Sequence, residues 1–124
     1  MSEALNKGRE VLAELNPEME AILKDRYDDI LPGFSESLVE WAYGRHYGRG
    51  VVDMKTRQLC TIAALTAMGG QTTPQLIANI EHTRKAGATE QEIVEVIWQM
   101  AVYGGIPAAI NGLNAARQVF AEQQ

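Results

Sequence analysis

The sequence predicts an all-α fold of about six or seven helices, and three observations carry that prediction. Strand signals are nearly absent, with no sustained period-2 alternation and no Asn-Gly turn between β-branched runs. Helix caps and breakers recur along the chain at helical lengths. Between them, apolar residues return at 3.6-residue spacing, as in Ile93, Val96, Ile97 and Met100.

Taken in order, Ala4 to Leu15 reads as an amphipathic helix with Leu5, Val11, Leu12 and Leu15 on its apolar face. Asn16-Pro17 restarts the chain, with Pro17 suited to a first helical position. That second helix runs toward Ile30 and stops before Pro32-Gly33. Ser35 is expected to cap a third helix carrying Leu38, Val39, Trp41 and Ala42. Gly44, Gly48 and Gly50 predict a loop over G-R-H-Y-G-R-G. Asp53 caps the next helix, which is apolar or small on nearly every side from Leu59 to Met68 and is therefore expected to be central. Gly69-Gly70 ends it. Thr73-Pro74 opens a helix bearing Asn79 and His82, which Gly87 closes. Thr89-x-x-Glu92 is a capping box for the helix that follows. Gly104-Gly105-Ile106-Pro107 breaks that helix and starts the last one, which ends near Phe120.

With 124 residues, the whole of 1–124 is expected to form one small domain. A net charge of −5 with no basic patch argues against a nucleic-acid partner, though a small anion needs only one or two local cations. Cys60 is the lone cysteine, so no intrachain disulfide is expected. The N-terminal M-S-E-A-L-N-K-G-R-E lacks an apolar signal core. The longest apolar run, Ile62 to Met68, falls far short of the ~20 residues that span a bilayer. A cytoplasmic location away from membranes is the resulting expectation. The segments Leu59–Met68 and Ala101–Ala116 carry more apolar surface than a chain of this size hides, which predicts a homo-oligomer.

D-M-K-T-R-Q-L at 53–59, the helix at 74–87 and V-Y-G-G-I-P-A-A at 102–109 resemble, in order and spacing, the carboxymuconolactone decarboxylase family. K-G-R-E-V near the N-terminus and F-x-x-x-L-x-x-W-A-Y-G at 34–44 extend the resemblance over nearly the whole chain. Each motif is soft, being mostly glycine and apolar residues, but their joint order is more specific. The resemblance implies an alkylhydroperoxidase D-like helical bundle, a ring-like hexamer ahead of a trimer, and cofactor-free loss of CO2 from a small carboxylated lactone in aromatic-acid breakdown. The related peroxidases carry Cys-x-x-Cys and a following His. Those positions fall on Thr72, Gln75 and Asn79 here, and the decarboxylase His also falls on Asn79. Arg45 stands where a Glu is usual, with Tyr47 at an aromatic position.

Cofactor-free decarboxylation needs an anion clamp, a group that stabilises developing charge, and a proton carrier. Asn79 and His82 lie three residues apart on nearly one helix face and are the candidates for oxyanion and proton. The competing reading of His82 is a solvent-facing surface histidine, since it is angled away from Leu76, Ile80 and Thr83. Arg45, His46 and Arg49 form a cationic cluster suited to a carboxylate, with His46 also a candidate catalytic group; the bland alternative is a solvated basic loop. Tyr47 and Tyr103 are candidate pocket walls, although Tyr103 and Trp98 belong first to a core or interface stripe. Lys55 and Arg57 oppose the dipole in the first turn of their helix, which points to another role, an inter-subunit salt bridge or a substrate contact, the structural one being favoured for Arg57. Cys60 is expected to be an inert core thiol. No metal-ligand spacing is present, and no cofactor is expected. Two readings rival the decarboxylase: a thiol-dependent peroxidase, and an oligomeric binding protein that has lost its chemistry.

Overall fold

Ser2 sets the start of the first helix: its hydroxyl accepts the Leu5 N–H at 3.0 Å, satisfying a donor the helix leaves open. The computed structural model describes residues 2–123, and among them every regular element is helical. They are α1 (Glu3–Leu15), α2 (Met19–Tyr27), α3 (Phe34–Leu38), α4 (Met54–Ala67), α5 (Thr73–Lys85), α6 (Glu90–Gln99), α7 (Ala101–Gly104) and α8 (Ile106–Glu122). A π-helical segment, Val39–His46, continues α3, and a 3₁₀ turn, Gly70–Thr72, precedes α5. The chain is thus the predicted all-α fold. It divides into two compact units, one up to Asp53 and one from Met54 onward.

In the first unit, Leu5, Val11, Leu12 and Leu15 of α1 are buried as their spacing predicts, together with Val39 and Tyr43. Two sequence expectations fail here. Ser35 is not a helix cap. Gly33, at φ +83°, precedes the helix, and the Asp28 carboxylate instead receives both the Ser35 N–H and its hydroxyl at 2.9 Å. The G-R-H-Y-G-R-G run is not a loop through its first half either. Arg45 and His46 end the π-helical segment, where the Tyr47 N–H donates to the Ala42 carbonyl at 2.9 Å, five residues back.

Glycine explains the second failure. A Cβ on Gly44 would strike the Ala4 carbonyl, and one on Gly8 would strike the Val39 carbonyl and come within 2.9 Å of Val39 Cγ1. These glycines let α1 and the π-helical segment cross backbone to backbone, so they mark close packing rather than chain flexibility. Gly44→Ala is therefore expected to cost about 1–3 kcal/mol by overpacking. A urea titration followed by circular dichroism checks this, and an unchanged midpoint would contradict the close crossing.

The second unit holds an aliphatic core of Ile62, Leu76, Ile80, Ala88, Ile93, Ile97, Ala115, Ala116 and Val119. The glycine joints work as read, although α5 begins at Thr73 with Thr72 in the cap position. Gly69, Gly87 and Gly105 all take positive φ at helix ends. The capping box of α6 closes in both directions, Thr89 N–H to Glu92 at 2.9 Å and Glu92 N–H to Thr89 Oγ1 at 3.0 Å. A Cβ at Gly112 would sit 2.8 Å from Ile97 Cγ2, so α8 needs glycine there to lie against its neighbours.

α4 is less central than predicted. Its buried stripe is only Gln58, Ile62 and Thr66, one residue per turn, while Cys60, Ala64 and Met68 are exposed. Cys60 is thus not a core thiol: it lies two residues from both Gln58 and Ile62, off the buried line. If the outer side of α4 remains open in solution, Ellman's reagent should titrate the thiol in the native protein. Protection that disappears on dilution into dissociating conditions would instead place that side at a subunit contact.

Candidate functional site

The two groups of candidate residues fall in different units, and each is built locally. In the first unit, the π-helical segment carries Glu40, Trp41, Arg45 and His46. Arg45 Nη2 lies 3.4 Å from Glu40 Oε1, a pair that is largely solvated and worth little in stability. The Glu40 carboxyl is held below the usual carboxylate range, first by the Ser2 hydroxyl and then by Arg45. The His46 ring stands edge-on to Trp41, with centroids 4.5 Å apart. Tyr47 tilts against Tyr43 at 5.1 Å. Burial pushes the Tyr43 phenol up to about 12, so it stays protonated. The Arg49 N–H donates to the His46 carbonyl at 3.1 Å, so Arg49 follows directly on the helical turn. Arg45, His46 and Arg49 are all exposed and Tyr47 is half-buried, an arrangement able to receive an anion from solvent. Glu40, which sequence reasoning passed over, offsets part of that positive charge.

In the second unit, Asn79 and His82 sit on α5, one turn apart. Asn79 is not a free-swinging amide. Its Nδ2 donates to the Gln75 carbonyl at 2.8 Å, and its Oδ1 lies 3.4 Å from Gln58 Nε2. Gln58 also reaches the Asn79 carbonyl at 3.3 Å and Thr83 Oγ1 at 3.4 Å, while Thr83 Oγ1 donates to the Asn79 carbonyl at 2.6 Å. These contacts tie α4 to α5 through a polar network inside an otherwise aliphatic unit. Gln58 is fully buried, and its Oε1 has no hydrogen-bond partner among the described residues. Sequence reasoning missed Gln58, yet a signal was present. A polar residue falls at the inward position of α4, four residues before Ile62 and eight before Thr66.

His82 overturns the surface-histidine reading, since it is only 1% exposed. Burial, with a smaller contribution from nearby Lys85, pushes its pKa down to about 4. The imidazole is therefore neutral at physiological pH, titrating well below the usual histidine value of 6.5. A neutral His82 can accept a proton or donate one N–H bond, but it does not carry a stored positive charge. Tyr103, expected in a core stripe or a pocket wall, is 77% exposed, and Trp98 is exposed as well.

Lys55 makes its salt bridge within the chain, not between subunits. Its Nζ lies 2.7 Å from Glu92 Oε2, joining the first turn of α4 to the capping box of α6. The Glu92 carboxyl is held low, first by Lys55. Among the described residues, no three His, Cys, Asp or Glu side chains gather as metal ligands would. No described helix is long and apolar enough to cross a membrane.

Residues 32–118 match the carboxymuconolactone decarboxylase family. The chain is 35% identical over 119 residues to an uncharacterized 15.0 kDa protein in the nqo9-nqo10 intergenic region of Paracoccus denitrificans, covering 96% of this chain and 89% of that one. It is 28% identical over 96 residues to the 4-carboxymuconolactone decarboxylase of Acinetobacter baylyi, covering 77% of this chain and 70% of that one.

Proposed function

Since the chain belongs to the carboxymuconolactone decarboxylase family, we propose that it is a cofactor-independent carboxy-lyase acting on a small carboxylated lactone or a related organic acid. The observation that carries this reading is on α5. An oriented amide, Asn79, and a buried neutral imidazole, His82, occupy the helix within the segment that matches the family. Loss of CO2 leaves an electron pair on carbon, and that charge delocalises onto the neighbouring carbonyl oxygen. The second N–H of Asn79 Nδ2 is the donor available to such an oxygen, and neutral His82 is the group available to relay a proton: one ring nitrogen accepts it from water as the other donates to the carbon, and the hydroxide left over combines with the released CO2 as bicarbonate. In the first unit, taken by itself, Arg45, His46 and Arg49 beside Tyr47 are proposed as the group that captures an anion from solvent. The relative from Acinetobacter baylyi, named as a 4-carboxymuconolactone decarboxylase, supports this substrate class.

Assembly belongs to the same proposal. Met68, Val102, Tyr103, Ile106 and Ile110 of the second unit are exposed, and no charged residue occurs between Glu95 and Arg117. An uncharged apolar surface of that extent is expected to be covered by further copies of the chain, as a hexamer or, failing that, a trimer. Light scattering at micromolar concentration should return one of those masses, and a clean monomer would remove this part of the proposal.

A second reading has an observation in its favour. Asn79 is engaged on both ends of its amide and His82 is shut away from solvent, as in a binding protein that kept the fold without the chemistry. The test is CO2 release from 4-carboxymuconolactone and a panel of carboxylated lactones and short keto acids. Turnover of any of them supports the lyase. Saturable binding without turnover across the panel favours the silent protein.

A further inference from the structure

We infer that the groove between α6 and α8 is a binding site for a small amphipathic carboxylate, separate from the Asn79 and His82 pair. The groove is lined by Glu90 and Val94, four residues apart on α6, and by Leu113, Arg117, Phe120 and Ala121 along one side of α8. Its volume of about 460 Å³ falls within the range of small-molecule sites.

The floor is apolar for a structural reason. Ile93 and Ile97 of α6 and Ala115, Ala116 and Val119 of α8 point into the core. Val94, Leu113 and Phe120 are the shoulders of those same stripes, half-buried against the core with their outer sides open. An apolar ligand body seated there would complete their desolvation.

The rim carries one carboxylate, Glu90, and one guanidinium, Arg117. Glu90 is offset by Arg84, with Arg84 Nη2 3.6 Å from its carboxylate. Arg84 is itself occupied, lying over the Phe120 ring at 5.9 Å and donating to the Ala88 carbonyl at 3.4 Å. Arg117 makes no ion pair among the described residues, so one guanidinium is left at the edge of an apolar floor. A guanidinium offers a planar fork matched to a carboxylate, and the floor beneath it takes a hydrocarbon or aromatic body. An uncharged ligand would use only the floor, and an inorganic anion only Arg117. The pairing of the two selects a molecule that has both parts.

The test uses the full chain, with 3-phenylpropanoate and its uncharged amide as probes. Calorimetry at fixed ionic strength should give a Kd for the acid of about millimolar or tighter. The amide should bind about tenfold more weakly. Arg117→Gln should bring the acid down to the level of the amide while leaving the amide unchanged. Methyl NMR should place the saturable shifts on Val94 and Leu113. The proposal is overturned by equal affinity for acid and amide, by Arg117→Gln without effect, by shifts centred on other residues, or by no saturation up to about 10 mM. One further result would also overturn it: if Val94→Glu dissociates the oligomer in light scattering, the groove is a contact between copies of the chain. None of these outcomes depends on whether the protein turns over a lactone, so this inference and the lyase reading fail separately.

Discussion

Lowering the pH from 7 to 4 is expected to remove on the order of 3 kcal/mol of folding stability through His82 alone. The imidazole titrates near 6.5 in the unfolded chain but near 4 in the folded one. Between those values the unfolded state binds the proton and the native state does not, so acid favours unfolding. The stability is fully present above about 6.5, falls through the window and is lost below about 4. The carboxylates act later. Glu20 and Glu92 are held low by Arg9 and Lys55, so their contributions stand above the unfolded carboxylate value and go only as the pH falls below it. Urea midpoints at pH 6.5, 6.0, 5.5 and 5.0, at one protein concentration, therefore isolate the histidine. His82→Gln, which cannot take up the proton, should flatten that slope even if it is less stable at pH 7. A wild-type midpoint that does not move over this window would mean that His82 is not held neutral by burial.

The fold was legible in the chain because its joints are written in local chemistry. Thr89 and Glu92 build the α6 cap from two side chains three residues apart, and Gly69, Gly87 and Gly105 stop helices through their own backbone freedom. Features set by partners distant in sequence were not legible. Gly44 looked like a loop residue because only the path of α1 reveals that it sits against Ala4. Ser35 looked like a cap because nothing local shows that Asp28 turns back to hold it. Cys60 and His82 were misjudged in opposite directions for a shared reason. A helical wheel gives angles but not which neighbours cover each angle, and α4 buries a narrower stripe than its composition implies. At the candidate site, spacing put Asn79 and His82 one turn apart on the same helix, where the structure has them. Gln58, which holds Asn79 from another helix, could be inferred only from its polar character at an inward position.

If the lyase reading holds, His82→Gln should lower kcat by about 10²–10⁴-fold and change KM by no more than a few-fold. The reasoning is differential: a proton carrier acts in the transition state, so its removal leaves ground-state binding nearly intact. Arg45→Ala tests the cluster of the first unit separately: if that cluster is the carboxylate clamp, the change should raise KM more than it lowers kcat, because a clamp grips substrate and transition state alike. Asn79→Ala should resemble His82→Gln, since it deletes a donor aimed at developing charge. Its measurement needs a folding control, because the same change removes the Oδ1 that Gln58 engages. The pH profile supplies a readout that a purely structural role would not move. With His82 neutral down to about pH 4, the acid limb of kcat should lie near that value rather than at 6–7, and it should vanish in His82→Gln. Acid unfolding begins in the same range, so initial rates must be divided by the folded fraction measured in the same buffer. Turnover that survives His82→Gln with an unchanged pH profile would move the proton to His46, whose ring is exposed beside Trp41.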